Sequence, residues 1–206
     1  MRTDDRYATF AELTAHERAG EDYRQALRDR GSAIVVVAPH GGSIEPGTSE
    51  LAQAIAGRTF SCYCFEGLKR AGNDALHITS TNFDAPGCCA LLSRAQTVLT
   101  VHGCRGDAPI VYVGGRHTAL KDRLTASLRK ADVRAENAPP RHAGRRAANL
   151  CNRGRSGRGV QLELSQGLRE RLFVGLTLAE RRKTTPRFTA LVDAVRTVLL
   201  SIPLPR

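Results

Sequence analysis

Residues 32–52 read SAIVVVAPHGGSIEPGTSELA. The run Ala33–Ala38 is continuously apolar and bounded by Gly31 and Pro39, the pattern of a strand buried on both faces. Two glycines and Pro46 follow, and then Leu51, Ala54 and Ile55 set out an apolar helical face that ends at Gly57. A strand, a tight turn and a helix in that order begin an α/β domain. The turn itself carries His40 and Glu45. One reading is structural, with Glu45 capping the positive end of the helix. The other is chemical, with both side chains held as metal ligands at the mouth of a sheet.

The same alternation runs on through the chain. Strands are expected at Thr59–Phe65, Leu76–Thr79, Thr97–His102, Ile110–Val113 and Gly159–Leu164. Helices are expected at Cys88–Arg94, at Thr118–Lys130, shortly after Gln166, and over Pro186–Ser201, with further helical pieces around Phe10 and Tyr23. This predicts one three-layer α/β/α domain over residues 1–206 with a mostly parallel or mixed sheet. No internal repeat or linker divides it, and Asn137-Ala-Pro-Pro-Arg is the best loop.

Bulk properties bound the partners. The chain has 206 residues and a formal charge of +11, and its bases are mostly arginine. That balance favours an anionic partner. Aromatic residues make up 5% and tryptophan is absent, which weakens any single-strand stacking platform. Arg153-Gly-Arg-Ser-Gly-Arg-Gly lacks the phosphate-loop pattern and occurs once, so nucleic acid is an unlikely partner by sequence. No apolar run approaches the ~20 residues of a membrane span, and no secretory signal is seen, so a cytoplasmic monomer is expected. The six cysteines contain no CxxC pair and read as small buried hydrophobes.

In α/β sheets, sites gather beyond the carboxyl ends of strands. His40 follows the first apolar strand, His102 closes Thr97-Val-Leu-Thr-Val-His, and Glu163 lies within Val160-Gln-Leu-Glu-Leu-Ser. Two histidines and a glutamate form a known catalytic zinc set with a fourth position left for water. Glu163 is a carboxylate in an apolar strand and is costly to bury unpaired. A salt bridge and a general-base role are both open for it.

Taken together, APHGGSIEPGTSELA, Phe65-Glu-Gly-Leu-Lys, Leu76-His-Ile-Thr-Ser-Thr-Asn-Phe-Asp, Val101-His-Gly-Cys, Val111-Tyr-Val-Gly-Gly, Cys151-Asn-Arg-Gly and Gly159-Val-Gln-Leu-Glu-Leu-Ser resemble the bacteriophage and bacterial poly-γ-glutamate hydrolases. The resemblance covers about residues 33–173. It implies a reduced carboxypeptidase-like fold and one Zn²⁺ on His40, Glu45 and His102, with Glu163 as general base. Larger carboxypeptidases place two residues between the first histidine and the glutamate, whereas four separate His40 from Glu45.

The resemblance further implies cleavage of γ-glutamyl amide bonds in poly-γ-glutamate. Asn152 and Arg153 match the Asn-Arg pair that holds a substrate carboxylate in carboxypeptidases. Arg141, Arg145 and Arg158, from an acid-free stretch, are expected at neighbouring subsites, and His77 and Asn82 near the substrate. The alternatives are a zinc amidohydrolase of small N-acyl amino acids such as N-acylglutamate, and a basic nucleic-acid-binding, phage-related protein. Glu66 is expected at an exposed strand end.

Overall fold

The computed structural model describes residues 5–203. Its centre is a seven-stranded mixed sheet in the order β1-β3-β2-β4-β7-β5-β6. The strands are β1 (Tyr23–Arg28), β2 (Ile34–Gly42), β3 (Ser61–Gly67), β4 (Thr97–Cys104), β5 (Val111–Gly115), β6 (Ala135–Asn137) and β7 (Val160–Ser165). The inner four, β3-β2-β4-β7, run parallel, while β1 and β5 pair antiparallel to their inner neighbours. Inner strands are buried on both faces, which is why they read as unbroken apolar runs.

Alternating residues of these strands feed two cores. Val36, Ala38, Cys64, Leu99 and Val101 pack under α2 (Thr48–Ala56), α4 (Thr118–Lys130), α5 (Gln166–Leu172) and α6 (Pro186–Leu200). Val35, Val37, Tyr63 and Phe65 pack on the opposite face under α1 (Phe10–His16) and α3 (Pro86–Leu92). The expected three-layer α/β/α arrangement is what forms. Helix α4 buries Leu120, Leu124 and Leu128, one residue per turn along a single stripe. No helix among the described residues is long and apolar enough to cross a membrane.

Four local expectations change. Tyr23–Arg28 is a strand, not a helix, because it pairs residue by residue with the outer edge of β3 and buries only Tyr23 fully. Leu76–Thr79 joins no strand. A 3₁₀ turn takes Asn73–Leu76, and the carbonyl of Ile78 bonds a histidine ring instead of a ladder partner. Glu66 is buried, 3% exposed, and ion-paired to Arg24 of β1, the strand that sequence reading had missed. Helix α2 also begins later than Pro46, with Gly47 as its N-cap at φ 97°.

The sheet order creates a switch point. From β2 the chain crosses through α2 to β3 on one side, and from β3 it returns to β4 on the other. Ladder pairing between β2 and β4 stops at Val37↔Thr100. Pro39 has no N–H to donate, and the β2–β3 register slips between Ala38 and Gly41. The ends of β2 and β4 therefore part, leaving a crevice of the kind that hosts ligands in open α/β sheets.

Candidate metal centre

His40 and His102 meet in that crevice, both nearly fully buried. Their Nδ1 atoms face each other at 3.2 Å. Glu45 completes the group, with Oε1 3.3 Å from His40 Nδ1 and Oε2 3.9 Å from His102 Nδ1. Zinc bonds of 2.0–2.2 Å to nitrogen and oxygen give tetrahedral ligand separations of about 3.3–3.5 Å, so the spacing suits such an ion.

The surroundings aim each donor. Nε2 of His40 donates to the carbonyl of Ile78 at 2.8 Å, which turns Nδ1 inward. Nε2 of His102 lies 3.4 Å from Ser80 Oγ. The backbone N–H of Gly103 donates to Glu45 Oε2 at 2.8 Å, leaving Oε1 toward His40. A Cβ on Gly103 would lie 3.0 Å from Cβ of Glu45 and 2.9 Å from the guanidinium carbon of Arg169, so the close approach requires glycine. The turn is set by Gly42 at φ 63° and by a bond from Glu45 N–H to the His40 carbonyl.

Electrostatics couples the three groups. Burial raises the Glu45 carboxyl, but the His40 imidazole against it lowers it further, to about 2. Burial alone would lower His40, yet contact with Glu45 raises it overall. His102 moves down through burial, opposed by the charges of Glu163 and Glu45. The opposite directions fit one proton held on His40 between the facing nitrogens. A dication can replace that proton.

A second arrangement shares His40 and Glu45 but closes with His77, the ligand atoms lying within 4.8 Å of one another. His77 stacks on His40, ring centroids 3.9 Å apart, but its Nδ1 is bonded to Asp5 at 2.7 Å. This commitment favours His102 as the third ligand. Burial, followed by the neighbouring His40, pushes His77 down to about 4.

Glu163 lies on β7 directly opposite His102 on β4, one strand spacing of ~4.8 Å away. Gln161 Nε2 donates to its Oε1 at 2.9 Å and also to the carbonyl of His142. Oε2 stands 3.5 Å from His142 Nδ1, too long for a firm bond. The arginine salt bridge expected as one solution for Glu163 does not form; its partners are Gln161 and His142.

The remaining candidates scatter. Asn152 is buried and bonds only backbone: its amide donates to the carbonyls of Gly144 and Arg146, and its oxygen accepts from the N–H groups of Arg116 and Gly159. Arg153 donates to the carbonyls of Ala148, Phe83, Ser80 and Thr81. Both side chains are thus occupied as scaffold, departing from a direct substrate role. Arg153 nonetheless holds the segment that carries Ser80 to His102.

Arg158 is exposed before the start of β7, roughly 16 Å of extended chain from Glu163. Arg145 lines a crevice with Val113, Thr118 and Lys121 on the α4 side. Asn82 is exposed and accepts from Thr81 Oγ1. Arg141, also exposed, adjoins His142, whose Nδ1 stands 3.5 Å from Glu163. Sequence reading passed over Gln161, His142 and Arg169. The buried Arg169 bonds the carbonyls of Pro46, Cys104 and Leu164, tying both histidine-bearing strand ends to α5. A glutamine two residues before a strand carboxylate was the one available signal.

Fold and cluster define a three-layer α/β domain with a compact His/Glu/His donor set at its switch point. Residues 7–194 match the poly-gamma-glutamate hydrolase family, and the chain belongs to it. YoqZ, an SPβ prophage-derived protein of Bacillus subtilis strain 168, is 37% identical over 87% of this chain, which spans 66% of that relative's length. A bacteriophage poly-gamma-glutamate hydrolase structure superposes with a TM-score of 0.93 at 32% identity, covering 96% of this chain and 97% of the other. The zinc-free apo form of YndL superposes with a TM-score of 0.91 at 34% identity, covering 96% and 98%.

Proposed function

We propose that this protein hydrolyses the γ-glutamyl amide bonds of poly-γ-glutamate with one zinc ion held by His40, Glu45 and His102. The observation that carries the reading is the triad itself, two buried imidazoles and a part-buried carboxylate with contacts of 3.2–3.9 Å, each oriented by a second bond. Family membership supports the substrate, and the existence of a zinc-free form of the related YndL supports the metal. When bound, zinc supplies Lewis-acid polarisation of the scissile carbonyl and of the attacking water.

The chain's own residues supply the rest. Glu163, one strand from His102, takes a proton from the water at Oε2 and returns it to the departing α-amino nitrogen as the C–N bond breaks. Gln161 holds Oε1, so the carboxylate keeps one orientation through both transfers. Arg141, exposed and next in sequence to His142, offers a guanidinium to the free carboxylate that every residue of the polymer carries.

The test combines metal analysis of the purified protein with size-exclusion assay of polymer digestion. One bound zinc per chain and shortening of the polymer are expected. A zinc-loaded protein that leaves the polymer intact but cleaves small N-acylglutamates would move the substrate assignment to that class.

A further inference from the structure

Beyond the first donor set, Cys104, His142 and Glu163 bring a thiol, an imidazole and a carboxylate together, their ligand atoms all within 4.8 Å of one another. Cys104 is two residues beyond His102 on β4, and the side chains of i and i+2 share one face of a strand. Glu163 stands opposite His102. His142 approaches from the 3₁₀ turn Pro140–His142, its ring stacked on Tyr112 and its carbonyl tied to Gln161. All three side chains border the same crevice, and none of the three is more than half exposed.

We infer that Cys104, His142 and Glu163 form a second, weaker site for zinc or a similar thiophilic dication, and that its occupancy shuts the enzyme down by taking Glu163 out of proton transfer. Sulfur, nitrogen and oxygen donors with an open fourth position make a zinc-type set, and they suit magnesium or calcium poorly. The site binds more weakly than the first because His40 and His102 are each aimed by a bond to Nε2, whereas His142 is held only by stacking on Tyr112 and through its backbone carbonyl. Binding releases the Cys104 thiol proton to solvent as the metal–sulfur bond forms. Metal occupancy itself is independent of the proposed activity, whereas the inhibition rests on Glu163 being the general base.

Cobalt(II) titration of metal-stripped protein separates the two sites. The first equivalent, bound by nitrogen and oxygen, gives no thiolate-to-cobalt charge-transfer absorption. The second equivalent brings that absorption in, and it disappears in Cys104→Ser and in His142→Ala while the first equivalent is retained. That retention also shows that the variants fold. In turnover, excess zinc inhibits the wild type, and Cys104→Ala raises the half-inhibiting concentration at least ~10-fold, the range commanded even by outer-sphere partners. Absence of the absorption, or its persistence in Cys104→Ser, overturns the site. Equal inhibition of wild type and Cys104→Ala overturns its effect on catalysis. A protein that never cleaves the polymer refutes the catalytic reading alone, because the absorption reports Cys104 directly.

Discussion

Nδ1 of His40 and Nδ1 of His102 face each other at 3.2 Å, although 62 residues separate them in the chain. Two ring nitrogens are brought this close only when a proton or a cation lies between them. The contact exists because β2 and β4 lose their ladder after Val37↔Thr100 and part on either side of the switch point.

Removing either imidazole should remove the metal. His40→Ala and His102→Ala are expected to lose stoichiometric zinc, measured by elemental analysis after dialysis. His77→Ala should keep it, since that ring's Nδ1 already bonds Asp5. Chelation should also lower the Tm of the wild type, because a ligand bound only by the folded state stabilises it. Full zinc in both His40 and His102 variants would refute the triad.

Glu163→Gln preserves shape and removes proton affinity. Zinc content should stay the same while kcat falls by ~10²–10⁴-fold. Gln161→Leu removes the bond to Glu163 Oε1 and should lower kcat less, with KM little changed, because it frees the carboxylate without deleting it. Normal turnover in Glu163→Gln would transfer the base to another group.

Gly103→Ala tests the seat of Glu45. The added methyl meets Glu45 Cβ at 3.0 Å and the Arg169 guanidinium at 2.9 Å, so the carboxylate must shift. Weaker zinc binding is expected in competition with a chromophoric chelator. Unchanged affinity would mean that Glu45 is not positioned by the Gly103 N–H.

Arg153 and Arg141 should behave differently. Arg153→Ala strips four backbone carbonyls of a charged donor and should lower unfolding stability by ~1.5–3 kcal/mol in urea titration. Arg141→Ala should leave stability nearly unchanged, raise KM for the polymer and flatten its salt dependence. A KM effect confined to Arg153 would return substrate binding to that residue.

Some of this protein was legible in its residues alone. The unbroken apolar run Ala33–Ala38 and the glycine turn after it announced a strand entering a helix, and the helical pattern over Thr118–Lys130 marked α4 to the residue. These are local matters of periodicity and backbone freedom, which a sequence carries directly. His40, Glu45, His102 and Glu163 were also visible as candidates, because polar groups at the ends of apolar strands are costly unless they have partners.

What the linear order could not carry was the pairing between distant segments. Tyr23–Arg28 looks helical until the open edge of β3 is there to receive it. Glu66 looks exposed until Arg24 arrives on that same edge. Asn152 and Arg153 look like a substrate clamp, yet backbone carbonyls and amides brought in by folding take up their hydrogen bonds. Gln161, His142 and Cys104 acquire meaning only around Glu163, since no spacing in the chain foretells which side chains will share a crevice. Composition and period are properties of neighbours along the chain, whereas a donor set is a property of neighbours in space.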